Sequence, residues 1–353
     1  MNSTLIYSML LGFGVTALLL QSLRRVALHI NLVDTPDVRK DHVGAIPLIG
    51  GLAMFIGFSF AILLLEIPIN HLRSFFAGCM ILIIVGVLDD LRELSSYVRF
   101  AAQIIAAFIM IEFGNVQLID FGAIGTSVEP VQLGIYAVPL TIFATVGVIN
   151  ALNMIDGLNG LAGLVSLITT LSMVLLCWIA GSIDSAQILL LLATVIIAFL
   201  LFNCRYHAGK TALAFMGDAG SMFLGFVLCW YFIQLSQGEQ RIMSPVTALW
   251  IFAVPLIDTV TMMLRRILKR RSPFSADQEH VHHLLLKAGF NHLETVMIIF
   301  LIAITFAAIG IAAYLSGYSE ARLFVIFLAC FAIYFFMTLH AWKFMRFLKW
   351  IKN

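Results

Sequence analysis

Residues 186–203 read AQILLLLATVIIAFLLFN, a stretch without a single charged side chain. Wound as a helix it would rise about 27 Å at ~1.5 Å per residue, close to the ~30 Å hydrocarbon core of a bilayer. A membrane-barrel strand would instead alternate apolar and polar residues over about ten positions. That alternation is missing, so the stretch is read as a membrane-spanning helix.

Similar runs occupy roughly 5–23, 46–65, 73–88, 98–114, 132–150, 160–180, 219–236, 245–264, 295–315 and 322–341. The chain has 353 residues, 61% hydrophobic and 11% charged. Soluble domains are about half apolar and a quarter charged, so a soluble globule is excluded. The expectation is an all-α integral membrane protein of about eleven transmembrane helices, forming one polytopic domain over 1–353. The first run is followed by Arg24 and Arg25 with no small-residue cleavage site, which reads as a retained span rather than a removed leader. Cys79, Cys177, Cys204, Cys229 and Cys330 are scattered and form no metal or redox motif. A net charge of +2 gives no basis for nucleic-acid binding.

An odd number of spans puts the termini on opposite sides. If the segment after the first span is cytoplasmic, all but Arg73, Arg241 and Arg322 of the 21 lysines and arginines fall on that side. The positive-inside bias therefore predicts an N-terminus outside (periplasmic) and a C-terminus in the cytoplasm. The 265–293 connection is too short for a core of its own and reads as a cytoplasmic substrate-binding loop. The 342–353 tail, WKFMRFLKWIKN, interleaves aromatic and basic residues and is expected at the membrane interface near anionic lipid.

Against this apolar background a few acids stand out: Asp89 and Asp90 in GVLDD, Asp156 in NMIDGLNG, Asp218 in FMGDAGS and Asp258 in PLIDT. A carboxylate beside hydrocarbon is costly unless it faces a polar cavity or a cation, so each is a functional candidate. The topology places the first four on the cytoplasmic side. On a helix Asp89 and Asp90 point about 100° apart and cannot meet one partner alike; a solvated helix end beside Arg92 is the plainer reading. Asn150, Asn153, Asp156 and Asn159 follow at three-residue steps, one stripe if helical, and suit a hard cation or a nucleotide better than a soft metal. A polar packing seam between helices is the alternative there.

Around Asp218 the neighbours Gly217, Ala219, Gly220 and Ser221 are all small, leaving room for an ion or phosphate. Magnesium is expected there, with manganese as an alternative. His280, His282 and His283 follow a basic run that begins at Arg265, surroundings that suit phosphate better than zinc. Asp258 is ranked below the other acids, as pocket lining or a partner for Arg265 or Arg266. The first inner loop, DTPDVRKDHVGAIPLIGG (34–51), offers Lys40 and His42 to a lipid phosphate or diphosphate.

Taken in order, RKDHVGAIPLIGG, LDD, NMIDGLNG, FMGDAGS and HVHH resemble the motifs of the polyprenyl-phosphate N-acetylhexosamine-1-phosphate transferases, over nearly the whole chain. Within that family the basic loop and HVHH are most similar to the bacterial branch that transfers N-acetylglucosamine 1-phosphate to undecaprenyl phosphate. The muramoyl-pentapeptide branch typically carries TPTMGG-like and PIHHH-like motifs instead. The resemblance implies UDP-N-acetylglucosamine and undecaprenyl phosphate as substrates, UMP and a lipid-diphosphate sugar as products, and a bacterial inner-membrane location. Such a product starts O-antigen lipopolysaccharide or enterobacterial common antigen assembly. A homodimer is compatible with the sequence but not required by it.

By motif, the resemblance assigns the metal to Asp218 and Asn153, the lipid phosphate to Asp89 or Asp90, and the diphosphate and metal site to Asp156. It assigns uracil contact to Asn159, and the nucleotide-sugar phosphates to Arg265, His280, His282 and His283. Bacterial relatives usually have aspartate at the position of Asn159, so this residue is excluded from metal and base roles. A lipid phosphate with a second pKa near about 6 is largely dianionic in the cytosol, so direct attack is favoured over an aspartyl intermediate. The competing readings are a transferase for another UDP-sugar, and an ion-coupled transporter. A transporter would place acids near the bilayer midplane and show repeated halves.

Overall fold

A computed structural model describes residues 3–35, 44–65, 67, 72–125, 129–204, 212–270, 272, 280–340, 345, 346, 348, 349 and 352. The polypeptide is helical almost throughout. In chain order the helices are α1 (Ser3–His29), α2 (Gly50–Leu63), α3 (Arg73–Arg92), α4 (Ser96–Gly114), α5 (Ala137–Ile155), α6 (Leu161–Ile179) and α7 (Ile183–Asn203). They continue with α8 (Gly217–Ser236), α9 (Pro245–Ile251), α10 (Ala253–Leu268), α11 (Val281–Lys287), α12 (His292–Leu315) and α13 (Glu320–Leu339). Among the described residues, nine helices are long and apolar enough to cross a membrane, so this is a multi-pass integral membrane protein.

Two of the expected spans take another form. The apolar run at 46–65 yields only the 14-residue α2, because Ile46–Pro47 is drawn into a two-residue strand, β2, antiparallel to β1 (Val33–Asp34). The run at 245–264 is broken into α9 and α10, which meet at 85°. Prolines open both pieces: Pro245 begins α9 and Pro255 lies in the first turn of α10, where a missing N–H costs no helical hydrogen bond.

The bundle is organised around α8, which is apolar on every side and almost wholly buried. Small residues let its neighbours close in. A Cβ at Gly51 would collide with the backbone of Gly220, and one at Gly86 with that of Ala219, so α2 and α3 pack backbone to backbone against its first turns. Farther along, Phe75 of α3 makes edge contacts with Trp230 and Tyr231 of α8, with ring centroids 5.2 and 6.3 Å apart.

Both ends of the bundle are fastened by hydrogen bonds between its connections, from side chains and from backbone. At one end Gln237, just past α8, accepts from the amides of Ile119 and Asp120, while Glu320 accepts from Ala123 and pairs with Arg241 at 2.7 Å. At the other, the amides of Gly50 and Gly51 donate to the carbonyls of Phe215 and Met216, and Phe215 donates to Pro47. Asn203 bridges there too: its oxygen accepts from Gly160 and its nitrogen donates to Ala214. This second end gathers the C-termini of α3, α5, α7 and α10 with the N-termini of α4, α6, α8 and α12. An asparagine–glutamate capping box, Asn291 with Glu294, opens α12.

Candidate active site

The site is built from the ends of six helices. Helix α3 stops at Glu93, whose left-handed backbone (φ 48°) turns the chain into α4. Asp89 pins that turn: one oxygen accepts from the Leu94 amide at 2.6 Å and the other from Arg99 of α4 at 3.0 Å. Asp90 points instead to α8, accepting from the amides of Asp218 at 2.9 Å and Ala219 at 3.4 Å. A carboxylate over the first-turn amides of a helix is favoured by the orphan N–H groups and the helix dipole.

Asp218 is thereby held by its backbone while its carboxylate remains partly exposed. One oxygen accepts from the Asn153 amide at 2.6 Å and the other from Arg99 at 3.2 Å. Arg99 thus joins Asp89 and Asp218, a positive charge between two acids. Asn153 also reaches Ser221 at 2.9 Å, and Asn150 donates to Gln103 at 2.7 Å.

The proposed polar stripe is helical only in part. Helix α5 ends at Ile155, so Asn150 and Asn153 share its face while Asp156 caps it and Asn159 sits in the turn that follows. Gly157 and Gly160 break the pattern, Gly160 with φ of 80°. Burial pushes the Asp156 carboxyl up to about 7, and the negative charge of Asp218 adds to the effect.

A cavity of about 320 Å³ opens beside these groups. Ser96, Arg99 and Gln103 of α4, Asn150, Asn153 and Gly157, Asp218 and Met222 of α8, Arg266 of α10, and His280, His282 and His283 form its walls. The imidazoles are arranged as a layer: His280 and His282 stack with centroids 5.8 Å apart, and His282 and His283 are 4.2 Å apart. The His282 ring lies directly on Gly157, where any Cβ would intrude on it. Burial, followed by the neighbouring histidines, lowers the His282 pKa to about 3, which favours the neutral ring.

Most of the residues singled out in the sequence lie at this end of the bundle, with different relations to the cavity. Asn150, Asn153, Asp218 and the three histidines wall it; Asp89 and Asp90 stand behind Asp218 as its supports. Arg266, rather than Arg265, is among the wall residues, although both are buried. Lys40 and His42 lie outside the described residues. Asp258 bonds His280 and Tyr334. Arg99, Gln103 and Asn203 were not singled out. Arg99 carries the same signal as every positive-inside charge, and the other two are amides in mainly apolar helices, a weak cue.

The donors around Asp218 are oxygen-bearing: its carboxylate, the Asp89 carboxylate and the Asn153 amide, whose nitrogen and oxygen exchange by a half-turn of the side chain. That set suits a hard divalent cation. Among the described residues no three His, Cys, Asp or Glu side chains converge as a metal cage. Magnesium needs none, since it is usually held by one or two carboxylates, water and substrate phosphates.

Comparison with known proteins gives the class. The profile of glycosyl transferase family 4 matches residues 72–236, which include α3 to α8 and hence Asp89, Asn153 and Asp218. Undecaprenyl-phosphate alpha-N-acetylglucosaminyl 1-phosphate transferase of Escherichia coli O157:H7 is 38% identical over 342 residues, covering 97% of this chain and 93% of its own. The proteins of the same name from Escherichia coli K12 and Haemophilus influenzae Rd are each 37% identical, over 97% and 94% of this chain and 93% of their own lengths. The chain belongs to glycosyl transferase family 4, in the polyprenyl-phosphate N-acetylhexosamine-1-phosphate transferase family, and is a sugar-phosphate transferase.

Proposed function

We propose that the protein transfers N-acetylglucosamine 1-phosphate from UDP-N-acetylglucosamine to undecaprenyl phosphate, releasing UMP. The observation that carries this reading is the cavity in which Asp218 and Asn153 face a layer of three histidines and Arg266. Carboxylate and amide oxygens are suited to a cation, and imidazole and guanidinium groups to phosphate. A diphosphate bound to magnesium presents both needs at once.

Asp218 and Asn153 would hold the metal, which when bound offsets the charge of the diphosphate and of the departing UMP. The chain's own residues do the rest. Arg266 and His280 bind phosphate oxygens, His282 and His283 shape the pocket around them, and Asn150, steadied by Gln103, orients the nucleotide-sugar. Arg265 supports the same basic wall, and Asn159 contacts the base. Asp89 and Asp90 fix Arg99 and the Asp218 backbone, so the incoming lipid phosphate meets a positioned guanidinium rather than two bare acids. Lys40 and His42 of the first loop guide that phosphate, and Asp156, which feels the charge of Asp218, shapes the diphosphate site.

By hydropathy the motifs share the side that also carries nearly all the lysines and arginines, which supports a cytoplasmic active site with eleven apolar segments in a bacterial inner membrane. Asp89, Asp90, Asp156 and Asp218 lie at helix ends rather than mid-helix, unlike the midplane ion sites of transporters. The lipid-linked sugar would begin O-antigen or enterobacterial common antigen assembly. Purified protein given labelled UDP-N-acetylglucosamine, undecaprenyl phosphate and magnesium should yield lipid-linked label and UMP, both lost in Asp218→Ala. Label that persists in that variant, or none with wild type, overturns the reading.

A further inference from the structure

His280 enters the cavity from a short segment between α10 and α11, yet its ring is fixed from behind. Its Nδ1 lies 2.7 Å from Asp258 Oδ2, and both side chains are buried. The other Asp258 oxygen accepts from the Val281 amide at 3.1 Å and from the Tyr334 hydroxyl, in the last long helix, at 2.5 Å. Neither Asp258 nor Tyr334 is part of the cavity wall. The network therefore runs from α13 through α10 to one histidine of the site.

We propose that Asp258 and Tyr334 are positioning residues that hold a proton on Nδ1 of His280 and fix the direction of its ring, leaving Nε2 as its working atom. An amide and a hydroxyl already donate to Oδ1, so Asp258 serves as an acceptor at Oδ2 and Nδ1 must carry a proton. Nε2 is then the ring nitrogen left for the cavity. An unprotonated Nε2 would turn a lone pair toward a phosphate oxygen, so the phosphate-engaged ring is the imidazolium, with the Asp258 carboxylate as its countercharge. His282, stacked on the other side, stays neutral and Arg266 carries its own charge, which leaves His280 as the stacked imidazole with a buried carboxylate behind it. Asparagine at 258 would remove that countercharge and, by donating to Nδ1, hold the ring neutral, so the imidazolium that pairs with phosphate is no longer supported.

This rests on the reading of the cavity as a nucleotide-sugar site. The test is a coupling measurement: kcat and KM for UDP-N-acetylglucosamine with D258N, Y334F, H280Q and the double variants D258N/H280Q and Y334F/H280Q, each checked for thermal unfolding. We expect D258N to lower kcat/KM about ten- to a hundredfold, the scale of loss when the carboxylate behind a metal-bound histidine is changed. Y334F should lower it by a smaller factor, and neither should add to the loss already present in H280Q. Losses that multiply in the H280Q background, or wild-type kinetics in D258N, overturn the proposal. If D258N does not fold, Y334F, which lacks a single oxygen, reads the same coupling. A wild-type enzyme silent with UDP-N-acetylglucosamine but active with another UDP-sugar overturns the donor assignment alone, and the coupling is then read with that sugar.

Discussion

Arg99 lies 3.2 Å from Asp218 and holds the acidic centre together before any cation arrives. Its Nη1 also bonds Asp89, so removing the guanidinium would leave two neighbouring carboxylates without their shared counter-charge. Arg99→Gln should lower kcat/KM at least about tenfold. It should also make thermal stability more responsive to magnesium than in wild type, because a bound cation then replaces a missing charge as well as filling a site. Melting curves with and without magnesium check this; an equal or smaller response in the variant counts against it.

Asp218→Asn keeps the volume and backbone contacts of the side chain but removes its charge. Since the carboxylate is partly exposed, the fold should survive, with an unfolding temperature near that of wild type in the absence of magnesium. Transfer should fall by roughly 10² or more, in line with the several kcal/mol a metal supplies to charge stabilisation. Single-turnover assays separate this loss from weaker lipid binding.

Asp156 supplies a pH signature. Its carboxyl is raised to about 7 in the folded protein against an ordinary value near 4, so between these values the folded state binds the proton more tightly than the unfolded one. Stability from this group is therefore present at low pH and is lost as pH rises toward 7, with a limiting slope of about 1.4 kcal/mol per pH unit. Asp156→Asn carries no such proton. The stability of wild type minus that of the variant, measured without magnesium from pH 5 to 8, should decline with pH and level off above 7.

Gly157 is a steric gauge of the histidine layer. An alanine methyl there would press on the His282 ring, which must tilt to accommodate it. Gly157→Ala should raise KM for the nucleotide-sugar several-fold with little change in unfolding temperature. Gly86→Ala should do the reverse, since its methyl meets the unyielding α8 backbone at Ala219; a loss of about 1–3 kcal/mol in stability is expected for overpacking. Comparing the two by thermal unfolding and by steady-state kinetics distinguishes site from scaffold.

The membrane-spanning character and the clustering of the motif residues were legible in the sequence because hydropathy and charge asymmetry act over tens of residues. The division of labour among the acids was not. Asp89 and Asp90 look alike in GVLDD, and only the direction of each Cβ assigns one to Arg99 and the other to the amides of α8. Likewise, NMIDGLNG offers a regular stripe on paper, but two glycines end the helix before Asp156. The role of Arg99 depends on a partner 119 residues away, a pairing no local pattern encodes. The same holds for Asp258, whose bonds to His280 and Tyr334 join three separate parts of the chain.

Helix α8 carries Asp218 at its tip and is enclosed by its neighbours along its length. The surrounding helices, whose outer faces are rich in exposed leucine, isoleucine and phenylalanine, are the ones that meet acyl chains. Changes in bilayer thickness are absorbed by tilt and snorkelling at such outer helices, at fractions of a kcal/mol per Å. The Asp218 carboxylate is therefore mechanically insulated from the lipid around the bundle, and turnover should vary little between short- and long-chain phospholipids.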